Sequence, residues 1–133
     1  MTNLEKVKND LKEKDASLVV LKGGNIKEYY QERVKDLVEI LTQNREGLKG
    51  ATVADRMIGK VAASIMAKAG VKELFTLKLS KIAIPVLKEY SITYEYEELI
   101  DYVKNKDKTG MCPMESKFKD ETDINKIYNG FIK

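Results

Sequence analysis

Residues 52–69 constrain the fold of this chain most, because apolar side chains recur through them at helical spacing. The apolar positions lie on one wide arc, and they are Ala54, Ile58, Val61, Ala62, Ile65, Met66 and Ala69. Gly70 then follows as a typical stop at a helix C-terminus. A helix with so broad an apolar face packs against other elements on most of its sides. The spacing therefore predicts one helix over residues 52–69, packed centrally against a sheet.

Shorter patterned segments predict the elements around this helix. Further helices are predicted at residues 4–14, 33–42, 81–90 and 124–131, with Thr122 or Asp123 capping the last one. Strands are predicted at 17–21, 26–30, 74–79 and 92–96, a helical turn or loop at 97–103, and polar loops at 44–51 and 105–110. Pro85 is awkward inside its helix and predicts a late start or a kink.

The order of these elements predicts a three-layer α/β/α domain with a mixed sheet. Gly23-Gly24-Asn25 is typical of a tight turn, so the first two strands form an antiparallel hairpin. The later strand–helix–strand order indicates a parallel pair with a right-handed crossover. At 133 residues, with no internal repeat or linker, the chain is predicted to form one domain over residues 1–133.

The composition favours a globular protein in a reducing cytoplasm. Hydrophobic residues make up 43% and charged residues 34%, and the net charge of +3 is spread out, which does not favour nucleic-acid binding. The longest uncharged apolar run, residues 61–67, is far shorter than the roughly 20 residues of a membrane span. The N-terminus has no apolar signal region, and the chain has one cysteine. A monomer and an oligomer are both compatible with these features.

The absence of histidine, together with the single cysteine, removes several familiar kinds of site. Cys-His and Ser-His couples need an imidazole base, and a closed zinc site needs four Cys or His ligands. We therefore predict no metal and no other cofactor.

Asp55 is the first candidate for a functional side chain. On a helix over residues 52–69 it lies on the apolar side with Gly59 and Ala62, where a carboxylate needs a partner or a ligand. One interpretation is structural, because Thr52 and Asp55 match the capping box of a helix start. The other is that Asp55 also contacts a ligand in the space that Gly59 leaves open.

Cys112 is the second candidate. Pro113 favours a helix start, which places Cys112 at or beside the N-cap, where the helix dipole favours the thiolate. Glu115, three residues on, resembles the acidic half of a capping box. Alternatively, Cys112 packs as a small hydrophobic side chain beside its methionine neighbours.

The segments Gly50-Ala51-Thr52-Val53-Ala54-Asp55-Arg56-Met57-Ile58-Gly59-Lys60-Val61-Ala62-Ala63 and Gly110-Met111-Cys112-Pro113-Met114-Glu115 together resemble the DUF1893 family of prokaryotic proteins. The resemblance covers about residues 3–116 and leaves a helical extension over about 117–133. It implies a cytidine-deaminase-like α/β/α fold and directs interest to Asp55 and Cys112.

The same resemblance does not carry zinc-dependent deamination with it. Zinc deaminases hold the metal with a His or Cys at one helix start and a Pro-Cys-x-x-Cys at the next. The corresponding positions here read Ala54-Asp55 and Leu79-Ser80-Lys81-Ile82, which provide no zinc ligands.

We therefore expect a metal-free pocket that binds a small, nucleotide-like metabolite. If the pocket is catalytic, Cys112 is the nucleophile or redox thiol and Asp55 is the acid/base group. Four further residues are predicted to contact the ligand: Thr52, Gly59, Gly110 and Glu115. The alternative is a non-catalytic interaction or regulatory module, in which Asp55 caps a helix and Cys112 is packed.

Overall fold

A computed structural model describes residues 1–32 and 34–132 of the chain. The helices are α1 (Asn3–Glu13), α2 (Lys35–Gln43), α3 (Lys60–Ala69), α4 (Ile84–Glu89), α5 (Pro113–Phe118) and α6 (Ile124–Phe131). The strands are β1 (Leu18–Lys22), β2 (Asn25–Tyr29), β3 (Thr52–Ile58), β4 (Glu73–Ser80) and β5 (Thr93–Ile100). The predicted helix start at Arg33 lies outside the described residues.

The strands form one mixed sheet in the order β2-β1-β3-β4-β5. β1 is antiparallel to both β2 and β3, whereas β3, β4 and β5 run parallel. The predicted hairpin is confirmed: Gly23 and Gly24 have φ angles of 59° and 83°, which are accessible to glycine without strain. The predicted mixed α/β architecture is therefore confirmed.

Helices cover both faces of the sheet and give it two hydrophobic cores. On one face, Val7 and Leu11 of α1 pack in a small cluster with strand residues that include Phe75. On the other face, α2, α3, α4 and α6 share the larger core, which is filled by fully buried side chains such as Ile65 and Ile127. Alternation along β1 serves both cores, because Val19 faces the first and Val20 the second.

Two predicted details of the helix ends are confirmed. α4 begins at Ile84 after a short 3₁₀ turn at Lys81–Ala83, so Pro85 lies in the first turn of the helix. A proline is tolerated there because its missing N–H has no partner within the helix. At α6, the Asp123 side chain accepts a hydrogen bond from the amide of Asn125 and caps the helix.

The prediction of one helix over residues 52–69 is wrong in its first half. Thr52–Ile58 is the central strand β3, paired with β1 on one side and β4 on the other, and the helix begins only at Lys60. A strand covered on both faces is apolar on both faces, and its composition therefore resembles that of a buried helix. Ladder bonds on both edges override the weak strand preference of the segment.

The predicted capping box between Thr52 and Asp55 is also wrong, because the helix does not begin there. Thr52 and Asp55 lie on a strand, where three residues span about 10 Å, so the Asp55 carboxylate is not placed to reach back to the Thr52 amide. The Thr52 hydroxyl instead bonds to Glu73 Oε2 at 2.7 Å, across to the start of β4.

The prediction of a turn or loop directly after Tyr96 is also wrong. β5 continues to Ile100, because β4 extends to Ser80 and supplies pairing partners for residues 98–100. The acidic stretch of β5 is matched by cations: Glu95 and Glu97 form ion pairs with lysines of α1.

Candidate functional site

An open cavity of about 500 Å³ lies where β3 ends and α3 begins. Four of the residues singled out in the sequence line it: Asp55, Gly59, Cys112 and Glu115. Its apolar wall comes from α3, the start of α5 and neighbouring segments, and includes Val34, Met57, Val61, Ala62, Val103 and Met114. The structure thus brings Asp55 and Cys112, which are distant in sequence, to the same cavity.

Asp55 is a nearly buried carboxylate on this cavity, with 8% of its surface exposed. Burial raises the pKa of Asp55 to about 7, and backbone hydrogen bonds from Met57 and Arg56 offset only part of that effect. The bond from the Met57 amide to Asp55 Oδ1 is long, at 3.4 Å. Among the described residues no cation forms an ion pair with Asp55. Its charge is therefore poorly compensated by the protein.

A second buried carboxylate acts on Asp55. Asp36 of α2 is 2% exposed, and its negative charge raises the pKa of Asp55 further. Asp36 itself is held by Gln31, whose backbone amide and side-chain amide donate to it at 3.1 and 2.9 Å. Gln31 also lines the cavity. The site therefore contains one satisfied aspartate close to one poorly satisfied aspartate.

Arg56 follows Asp55 but is directed to other partners. Its Nε donates to the carbonyl of Ala16 at 2.7 Å, and its guanidinium forms an ion pair with Asp15. The guanidinium thus fastens β3 to the residues before β1 rather than neutralising Asp55.

Glu115 has a structural role that its sequence position did not indicate. Its Oε1 accepts from the amide of Lys60 at 2.5 Å, and its Oε2 accepts from the amide of Val103 at 2.7 Å. Lys60 is the first residue of α3, so the carboxylate satisfies one of the free amides at that helix start, where negative charge is favourable. The predicted capping box between Cys112 and Glu115 is therefore wrong. The Cys112 amide instead donates to the carbonyl of Val103 at 2.7 Å.

The close approach of Glu115 to the start of α3 also explains why residue 59 is a glycine. A Cβ at residue 59 would lie 2.6 Å from Glu115 Oε1 and 2.7 Å from Val103 Cγ2, closer than side chains can pack. Gly59 is the N-cap of α3 and has an extended backbone with φ −103°. Glycine stands here because the carboxylate approaches closely, not because the backbone is strained.

Lys60 joins α3 to the other end of α5. Its Nζ donates to the carbonyl of Lys119 at 2.7 Å, beside the last turn of α5. Burial lowers the pKa of the Lys60 ammonium, and nearby acidic residues act in the opposite direction. The start of α3 is therefore bonded to both ends of α5, through its amide to Glu115 and through its ammonium to Lys119.

Cys112 lies at the N-cap of α5, as predicted, and is 3% exposed. It lines the cavity beside Met114. Its position is consistent with both interpretations of the sequence, the packed side chain and the thiol that faces a ligand.

Two residues predicted to contact a ligand do not line this cavity. Thr52 is buried at the opposite end of β3 and bonds to Glu73. Gly110 lies in the loop before α5, where its carbonyl accepts from the amide of Asn105 at 2.9 Å. Both residues form hydrogen bonds within the fold, outside the wall of the cavity.

Comparison with known proteins assigns the chain to a family. The family model described as a domain of unknown function, DUF1893, matches residues 6–132. The chain belongs to the DUF1893 family. No curated protein matches it.

A solved structure agrees with this assignment. The chain is similar to a DUF1893 family protein, TM1506, from Thermotoga maritima, with 32% sequence identity and a TM-score of 0.86. The match covers 97% of this chain and 88% of that one. The DUF1893 match includes α6, which packs in the larger core through Ile127 and Tyr128.

Several lining residues of this DUF1893 protein were not singled out from the sequence. They are Ser17 and Gln31 near the hairpin, together with Lys104 and Lys106 of the loop before α5. Asp36, whose charge acts on Asp55, was also missed. Isolated polar residues give no signal of this kind, whether they lie in loops or in predicted elements, because only the folded chain brings them to one place.

The described residues lack two further features that would point to a function. Within residues 1–32 and 34–132, no group of three or more His, Cys, Asp or Glu side chains is arranged to hold a metal ion. Over the same ranges, none of the helices has the length and apolar character needed to cross a membrane.

Proposed function

We propose that this protein binds a small metabolite in the cavity at the end of β3, with Asp55 as the group that recognises the ligand. One observation carries the proposal: Asp55 is a buried carboxylate, poorly compensated by the protein, on the wall of an open and mostly apolar cavity. Buried charges are normally paired or fully hydrogen-bonded. Glu115 on the same cavity follows this rule, because each of its carboxylate oxygens accepts a backbone amide. An N–H or O–H group of a ligand would supply the missing partner.

The acid–base behaviour of Asp55 suits such a contact. With a pKa of about 7, its carboxyl group exists in both forms near neutral pH. The ionised form accepts hydrogen bonds from a ligand, and the protonated form donates one. Asp55 is therefore able to exchange a proton with a bound molecule, as a general acid or base must.

A catalytic version of the proposal assigns a further role to Cys112. Its side chain lies on the same cavity, so a bound molecule would contact both the thiol and Asp55. In that version Cys112 is the nucleophile or redox thiol and Asp55 the acid/base group. A single thiol also favours the cytoplasm as the place of action. The nucleotide-like ligand and the cytidine-deaminase-like fold implied by the family resemblance stay predictions.

The near-complete burial of Cys112 favours a second candidate, a non-catalytic binding or regulatory module. At 3% exposure the thiol behaves as a small packed side chain. The other half of that alternative, Asp55 as a helix cap, is excluded because Asp55 lies on β3.

The test is a thermal-shift screen against nucleosides, nucleotides and common metabolites. A ligand present at 100 times its Kd stabilises the folded state by about 2.7 kcal/mol, which raises Tm by several degrees. The comparison variant is Ala62→Leu, whose larger side chain should fill part of the cavity and abolish the rise in Tm. Cys112→Ala should keep the binding, and loss of turnover alone in that variant would identify the catalytic version. The proposal would be contradicted if no compound raised the Tm of the wild type without also raising that of Ala62→Leu.

A further inference from the structure

Two lysines, Lys104 and Lys106, form a basic lip on the loop that borders the cavity. This loop doubles back on itself: Lys104 pairs with Met111 in an antiparallel bridge, and the Asn105 amide donates to the Gly110 carbonyl at 2.9 Å. Lys106 lies in the turn that follows the bridge, which the Lys108 amide closes by donating to the Asn105 carbonyl at 3.0 Å. This folded loop places both lysines on the wall of the cavity.

The basic lip carries positive charge that the protein does not fully match. Lys106 Nζ lies 3.8 Å from Oε2 of Glu32, which also lines the cavity, but both side chains are largely exposed, at 75% and 70%, so the pair is weak and two lysines stand against one carboxylate here. Within the described residues Lys104 forms no ion pair. Arg56 also borders the cavity, but its charge is matched by Asp15.

The cavity therefore has two poles of opposite character. The inner pole is the buried carboxylate of Asp55, and the outer pole is the exposed basic lip. The same cavity is also lined by apolar side chains, with Val61, Ala62 and Met114 among them. Glu115 does not add to the inner pole, because both of its oxygens already accept backbone amides.

We infer that the ligand of this cavity is a bipolar small molecule, with a hydrogen-bond-donating head at Asp55 and an anionic group at Lys104 and Lys106. This inference rests on the proposed function and specifies the chemical class of its ligand. The anionic group is a carboxylate or a phosphate, since a lysine ammonium attracts either one as a point charge. The apolar wall accommodates a ring or a short hydrocarbon segment between the two ends.

The test compares matched probes by calorimetry at low and high salt. Adenosine 5′-monophosphate is compared with adenosine for the phosphate arm, and 4-(hydroxymethyl)benzoate with benzyl alcohol for the carboxylate arm. Each probe is titrated into the wild type and into Lys104→Gln. The matched control is Lys108→Gln, which removes the same charge from the same loop at a residue that does not line the cavity.

We expect the anionic member of at least one pair to bind more tightly than its neutral partner. Lys104→Gln should weaken that anionic probe by up to about fivefold, the upper end for an exposed charge pair, and leave the neutral probe unchanged. Lys108→Gln should change neither, and raised salt should weaken only the anionic probe.

The remaining outcomes separate the two proposals. Neutral probes that bind as tightly as their anionic partners, with no effect of Lys104→Gln, would overturn the inference and leave the cavity as a ligand site. A lack of binding by all four probes would overturn the inference. If the metabolite screen is also negative, the proposed function fails with it. A gain confined to one pair identifies the anion as phosphate or carboxylate.

Discussion

Two buried carboxylates border the same cavity, and the protein treats them differently. Glu115 is 2% exposed and accepts two backbone amides at 2.5 and 2.7 Å, whereas Asp55 is 8% exposed, its bond from the Met57 amide is long at 3.4 Å, and its backbone bonds offset only part of the effect of burial on its pKa. The fold supplies the hydrogen-bond partners of Glu115, whereas Asp55 is left with room for a partner from a ligand. Burial alone therefore does not mark a functional carboxylate, since the number and geometry of its hydrogen-bond partners decide whether the fold satisfies it.

This contrast assigns stability to the Glu115 region and binding to the Asp55 region. Glu115 connects α5, the start of α3 and the chain at Val103, so three segments depend on one side chain. Asp55 connects nothing of that kind. Substitutions at the two residues should therefore have opposite signs, one destabilising and the other stabilising.

The largest effect is expected from Glu115→Ala. This change leaves the amides of Lys60 and Val103 without their partner, at about 1–3 kcal/mol each, so we expect the free energy of unfolding to fall by about 2–6 kcal/mol. Urea denaturation measures it. Glu89→Ala, at an exposed residue, is the matched control and should change stability by less than about 0.5 kcal/mol. Similar losses in both variants would remove the distinction between the two carboxylates.

The next effect is expected from Asp55→Asn, and it depends on pH. The pKa of Asp55 is about 7 in the folded state against 3.8 as its ordinary value. Between these values the unfolded chain has lost the proton while the folded protein keeps it, so the contribution of Asp55 to stability falls as pH rises from about 4 to about 7. Asparagine carries no such penalty. Relative to the wild type, the variant should gain about 2–3 kcal/mol between pH 5 and pH 8.

Denaturation at several pH values measures this gain, with Asp107→Asn at an exposed loop residue as the control. The charges close to Asp55 are Asp36 on α2 and Arg56 on its own strand, and both are kept in the variant. A stability difference that is flat from pH 5 to pH 8 would mean that Asp55 is well compensated in the folded state. The same variant should lose affinity for any ligand found in the screen.

The sequence predicted most of the sheet and failed at its centre for a physical reason. β1, β2, β4 and the first half of β5 were found because short β-branched runs and a Gly-Gly turn delimit them. β3 was missed because it is apolar on both faces and runs into α3 with only Gly59 between them. Periodicity does not separate a fully buried strand from a buried helix, and here the pairing with β1 and β4 decides.

The site was predictable in its individual residues but not in its connections. Asp55 and Cys112 were singled out by residue type and by family resemblance, and the structure places both on one cavity. The Glu115 contact joins residues 55 positions apart in the chain, to Lys60, so local spacing carries no trace of it. For the same reason the close packing of Glu115 against Gly59 was not predicted, and their predicted contact with a ligand stays a prediction for two residues that line the cavity.

Gly59→Ala offers the smallest and most specific test of that packing. The new Cβ would lie 2.6 Å from Glu115 Oε1, so either the carboxylate or α3 must shift, and we expect a loss of about 1–2 kcal/mol. The matched control is Gly130→Ala in α6, where the new Cβ would meet Phe118 Cζ at an ordinary contact distance of 3.9 Å. There alanine should stabilise the helix by about 0.5–1 kcal/mol through its higher helix propensity. Because both changes add one methyl group to a glycine, a difference in sign between them isolates the contact with Glu115. A stabilising Gly59→Ala would show that Glu115 does not approach this helix start as closely as we describe, and the two carboxylates would then be less different than their hydrogen bonds indicate.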